Sequence, residues 1–152
     1  MTEAARLVAN VEEVVDATEL RDVVFYRVLA ERVEDLDPQQ PAENEQAAPA
    51  IRVLERHDAT HVEVRCSLTF VGDGGRYEVD AAARYELAEP LEIPPSIMRE
   101  FVSRVGLMAV YPYLRESLHL SASKLRLEAP VMGLLKAGAI ELTAESMAPI
   151  GE

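Results

Sequence analysis

The chain has 152 residues, 49% hydrophobic and 28% charged, with 27 acidic against 15 basic side chains and a net charge of -12. That length suits one domain with a real core, residues 1–152 taken as a single unit, and is short for two. Such an acidic field works against binding phosphate backbones or anionic lipid surfaces, and favours basic or unfolded polypeptide partners.

The first apolar pattern, Ala4, Leu7, Val8, Val11, Val14 and Val15, is spaced by threes and fours among charged residues and predicts a short amphipathic helix, an N-terminal extension over residues 1–17. From Leu20 the composition turns to Val, Phe and Tyr. Val24, Tyr26 and Val28 alternate with Phe25, Arg27 and Leu29, which predicts a strand. Residues 36–50, "LDPQQPAENEQAAPA", hold three prolines and no periodicity, and are expected to form a long loop. Two alternating segments follow, "IRVLERHDA" and "HVEVRCSLTFV". The second sets Val62, Val64, Cys66, Leu68 and Phe70 on one face and His61, Glu63, Arg65, Ser67 and Thr69 on the other. "GDGG", residues 72–75, reads as a hairpin turn into "RYEVDAAARYEL", where Tyr77, Val79, Ala81 and Ala83 oppose Glu78, Asp80, Ala82 and Arg84.

A helix is expected from "IPPSIMREFVSRVGLMAV", because proline suits a first turn whose N–H groups lack intrahelical partners, and Ile97, Phe101, Val105 and Met108 make a stripe. Pro112 then interrupts the pattern. It removes the N–H that would bond the Met108 carbonyl, at about 3 kcal/mol inside a regular helix, so the helix is expected to bend or restart there. Leu114, Leu118 and Leu120 continue the apolar contact, a short apolar piece "VMGLLKAG" comes later, and residues 139–152 form a tail. The fold class is thus α+β: a short N-terminal helix, a four-stranded antiparallel sheet and a long kinked helix packed on it.

Little in the sequence points to catalysis. Cys66 is the single cysteine and has neither a disulfide partner nor a CxxC companion, which marks a small buried hydrophobe. His57 and His61 lack the HExxH spacing of a metal site, and His119 has no Cys or carboxylate cluster nearby in sequence. "GDGG" is no phosphate loop, and no GxSxG is present. No cofactor, metal or catalytic residue is therefore expected. The opening "MTEAARLVAN" has no basic segment leading into an apolar run, and no stretch approaches the length of a membrane span, so the expected location is the cytoplasm.

The order "LRDVVF", "VEVRCSLTF", "RYEVDAAARYEL" and above all "GLMAVYPYLRESLHLSASKLRLEAP" resembles the SecB and SecB-like protein-export chaperones over roughly residues 18–136. The PYxRE core carries most of that likeness. The resemblance implies homo-oligomers, dimers or dimers of dimers (tetramers), built through helices and edge strands, that hold unfolded polypeptides in hydrophobic grooves without nucleotide or metal. Within the motif Pro112, Tyr113, Arg115 and Glu116 are expected to form a helix joint that takes part in oligomerisation. The client-groove candidates are Phe25, Tyr26, Phe70, Tyr77, Phe101 and Tyr111.

In the export branch, acidic residues on the exposed sheet face dock the tail of the SecA motor. Asp22 and Glu78 match two of those positions, whereas Tyr26 stands where a third acid is expected. The final helix is shortened relative to the family, and the N-terminal helix is an addition found in SecB-like chaperones of antitoxins. The resemblance therefore implies an ATP-independent holdase serving export through SecA, or alternatively a chaperone of an antitoxin in a toxin–antitoxin system. A non-chaperone adaptor subunit that binds one partner is the reading from another class.

Overall fold

The computed structural model describes residues 3–33 and 49–132. Most of the expected loop at 36–50, all but the first two residues of "VMGLLKAG", and the tail at 139–152 lie outside them. In chain order the elements are β1 (Arg6–Leu7), α1 (Val11–Ala17), β2 (Thr18–Arg32), β3 (Ala50–His57), β4 (His61–Gly72), β5 (Gly75–Leu87), β6 (Leu91–Glu92) and α2 (Pro95–Phe101). A π-helical turn (Val102–Gly106) then leads into α3 (Leu107–Leu125).

The N-terminal helix is shorter than its periodicity predicts. Asn10 ends the extended segment before it and caps it, its side chain accepting the Glu13 N–H at 3.0 Å while the Glu13 carboxylate accepts the Ala9 N–H at 3.0 Å. The residues ahead of Asn10 instead pair as β1, parallel to β6. Arg6 of β1 bonds Glu13 of α1 at 3.1 Å and Glu89, just ahead of β6, at 2.6 Å.

The main sheet runs β2-β5-β4-β3, antiparallel throughout, with β2 and β3 at its edges. β4 and β5 alternate as the sequence predicts. Val62, Val64, Cys66, Leu68, Phe70, Tyr77, Val79, Ala81, Ala83, Tyr85 and Leu87 are all buried on the side covered by the helices. The hairpin between them turns at Asp73 and Gly74, whose φ values of 52° and 82° are both left-handed, as a two-residue turn matched to strand twist requires.

β2 does not alternate simply. Its register against β5 shifts between Leu20 and Asp22 and again between Phe25 and Arg27, so that Arg21 and Tyr26 are the extra residues of two bulges. Residues opposite one another across a pair share a face, so Leu20, Phe25 and Val28 lie on the helix side with Tyr85, Ala81 and Val79. Val24 and Leu29, opposite Ala82 and Glu78, lie on the outer side.

The long helix covers the inner side. Its buried stripe is Met98, Phe101, Val102, Leu107, Val110, Leu114, Leu118 and Ala122. Ile97, Val105 and Met108, expected on that stripe, flank it half-buried. For Val105 and Met108 the π-turn explains the offset, because its wider winding rotates the residues within and after it away from the positions a regular helix would give them. From Val110 to Ala122 the stripe then advances by fours, the spacing of a ridge inclined to the helix axis, and α3 packs on β2, β4 and β5.

Pro112 interrupts nothing: α3 runs through it from Leu107 to Leu125, and the departure from regular helix sits earlier, at Val102–Gly106. Pro112 is on the solvent side, where water can replace a lost N–H partner. The C-terminus of α3 is closed by Arg126, left-handed at φ 56°, by the Leu127 N–H donating to the Ala122 carbonyl at 2.9 Å, and by the Arg32 guanidinium donating to the Leu125 carbonyl at 2.6 Å. Among the described residues no helix is long and apolar enough to cross a membrane.

Candidate functional site

Exposed large apolar side chains gather where the edge strand β2 meets α3. Leu20, Phe25 and Val28 on the strand are 45%, 41% and 54% exposed, and Tyr113 and Leu120 on the helix are 42% and 51% exposed. Phe25 and Tyr113 meet edge to face with ring centroids 6.5 Å apart. Between them lies a groove of about 340 Å³, closed along the helix by Glu116, Ser117, Leu120, Ser121 and Lys124. The bulge at Tyr26 makes this strip. Without it Val28 would fall on the face opposite Phe25, whereas with it both point toward α3.

The outer side of the sheet is polar and internally paired. Arg84 meets Asp22 at 3.0 Å, Arg27 meets Glu78 at 3.0 Å, Arg21 meets Glu86 at 2.6 Å and Arg76 meets Glu31 at 3.0 Å. At the centre Arg65 grips Asp80 through two nitrogens, at 2.7 and 2.6 Å. The same guanidinium stacks 4.2 Å from the centroid of the Tyr26 ring. The Tyr26 hydroxyl donates to the Glu63 carboxylate, whose oxygens lie 3.1 and 3.0 Å away, while Arg56 reaches Glu63 at 3.4 Å. Glu63 is buried, and these two partners make that tolerable. Burial, then the bond to Glu63, raises the Tyr26 phenol above its ordinary pKa.

The expected groove residues thus part company. Phe25 lines the β2–α3 groove, and Tyr26 lies on the opposite side of the sheet. Phe70, Tyr77 and Phe101 are buried in the core, where Phe101 packs edge to face on Tyr85 at 5.2 Å and Phe70 meets Tyr77 at 6.2 Å. Tyr111 is half-buried against that core.

Of the expected joint, Tyr113 faces the groove, two residues and so about 200° around the helix from Tyr111. Pro112, Arg115 and Glu116 border a second concavity, of about 610 Å³, between α3 and the returning segment Ala129–Met132. Arg115 and Glu116 are exposed and form no ion pair among the described residues. Leu20, Val28 and Leu120 complete the strip, although the sequence did not mark them as groove residues. Leu120 alone carried a signal, since it falls out of step with the Leu114, Leu118, Ala122 series.

Asp22 and Glu78 both reach the outer face, but apart. Asp22 lies opposite Arg84, and Glu78 is six residues from Arg84 along β5, a separation of about 20 Å. Each is matched by its own arginine.

Burial pushes the Cys66 thiol up to about 12, which keeps it protonated and inert. Among the described residues no three His, Cys, Asp or Glu side chains are placed to hold a metal ion.

No protein-family model matches the chain. The SecB-like chaperone SmegB of Mycolicibacterium smegmatis (strain ATCC 700084 / mc(2)155) is 39% identical to it over 138 residues, which cover 91% of this chain and 88% of that protein. The chain belongs to the SecB-like chaperone family. A solved structure shares the SecB-like fold: the Mycobacterium tuberculosis Rv1957 SecB-like chaperone in complex with a ChAD peptide from Rv1956 HigA1 antitoxin. That match has a TM-score of 0.62 at 18% identity and covers 82% of this chain and 95% of the other. The sheet of four antiparallel strands and the helix from Pro95 to Leu125 are the SecB-like architecture.

Proposed function

We propose that this SecB-like protein is a holdase that keeps a client polypeptide unfolded without nucleotide, and that the β2–α3 strip supplies one apolar wall of the surface it uses. The observation that carries this is the groove where Phe25 and Val28 of β2, an edge strand among the described residues, meet Tyr113 and Leu120 of α3, with Leu20 exposed on the same side of β2. Apolar contact without directional bonding suits many sequences. A second copy packed against the same edge would supply the opposite wall. Suppression of aggregation of a chemically unfolded client tests the proposal, and no suppression at stoichiometric excess would defeat it.

Among clients we favour an antitoxin over an exported precursor. Asp22 and Glu78, the positions matched to SecA docking, are each held by an arginine, and Tyr26 covers the centre of the same face. The solved relative, in addition, is bound to an antitoxin peptide. A basic SecA-tail peptide should bind weakly, and no differently to the double variant Asp22→Arg/Glu78→Arg, whereas an antitoxin client should be protected from aggregation and proteolysis. Tight tail binding lost in that double variant would restore the export reading.

A further inference from the structure

The two edges of the sheet are built differently. On the helix side β2 presents Leu20, Phe25 and Val28, all apolar and exposed. The corresponding positions of β3 are Ile51, Val53, Glu55 and His57, which lie opposite Leu68, Cys66, Val64 and Val62 of the core. Glu55 is the one carboxylate of the four-stranded sheet on that side, and it is only 7% exposed. Its partner is His57 on the same strand and face, bonded through Nδ1 to the Glu55 carboxylate. This contact raises the imidazole pKa above its ordinary value.

A carboxylate on the apolar side of an edge strand does not stabilise the domain's own packing. A hydrophobic residue would bury there more cheaply, and Glu55 is tolerated because His57, itself exposed, satisfies it. What such a residue does well is refuse a neighbour. A strand added along β3 would cover His57, the exposed member of the pair, and shut off the water beside an already buried carboxylate, a penalty set against few contacts. We propose that the Glu55–His57 pair closes the β3 edge to strand addition by a second copy of this chain, so that pairing is confined to β2. This rests on the sheet and not on the holdase reading.

The test is the full-length double variant Glu55→Val/His57→Val, which restores an apolar helix-side row on β3. With unchanged far-UV circular dichroism, its weight-average mass by light scattering should rise at least twofold over the parent as concentration increases. Amide exchange across residues 50–57 should slow at least tenfold in the larger species. Should the double variant fail to fold, Glu55→Val alone is read the same way. A folded variant with the parent's mass overturns the proposal, and so does growth in mass with β3 amides exchanging as before.

Discussion

Gly106 shows how closely the helix is seated. A β-carbon there would lie 2.4 Å from Cγ2 of Val64, on the fully buried face of β4, so the backbone of the π-turn itself forms the contact. Gly106→Ala should therefore destabilise the fold by about 1–3 kcal/mol despite alanine's better helix propensity, as measured by chemical denaturation. His57 offers a second test. Its folded-state pKa lies above the ordinary 6.5 because it is bonded to Glu55, so the stability it contributes is fully present below pH 6.5 and is lost as pH rises through the raised folded value. An NMR titration should place the His57 midpoint above 6.5, and Glu55→Gln should bring it back toward that value. The core aromatics were legible in the sequence as members of alternating or helical rows. Whether any one of them faced a groove was not, because exposure depends on what else covers the sheet. Glu55 also escaped notice, since a carboxylate in an alternating strand reads as an outward residue until the register places it opposite Val64.

Strand β2 carries much of what is particular to this protein. Its two bulges rotate the apolar residues out of simple alternation, putting Phe25 and Val28 toward α3 and laying Tyr26 over the outer face. A sequence reading by twos groups Val24, Tyr26 and Val28 together. The extra residue at position 26 is set by pairing with β5 and leaves no local mark. Tyr26→Phe tests the outer layer: it removes the hydroxyl that donates to buried Glu63 and leaves Arg56, at 3.4 Å, as the remaining partner. A loss of about 1 kcal/mol in stability is expected, with the β2–α3 strip intact and client holding unchanged. The long helix shows the same limit. The prolines at 94 and 95 marked its start correctly, whereas Pro112 suggested a break in the wrong place, because a solvent-facing proline is accommodated and the π-turn at Val102–Gly106 has no such single-residue signature.

At the scale of the molecule, order of elements and family were legible because they rest on long alternating segments and on the 25-residue stretch from Gly106 to Pro130. The surface that matters was not, since the strip is assembled from β2 and α3, nearly ninety residues apart in the chain. The domain places its polar pairing on the outer face, closes one edge with Glu55 and His57, and leaves apolar surface at the other edge. A chaperone surface of that kind should fail when charge is placed on it and not when charge is removed elsewhere. The most direct measurement is suppression of aggregation of an unfolded client by the parent and by Phe25→Asp/Leu120→Asp, with mass and circular dichroism recorded on the same samples. The account predicts a folded double variant that needs at least tenfold more protein for the same suppression. Undiminished suppression by a folded variant would contradict it.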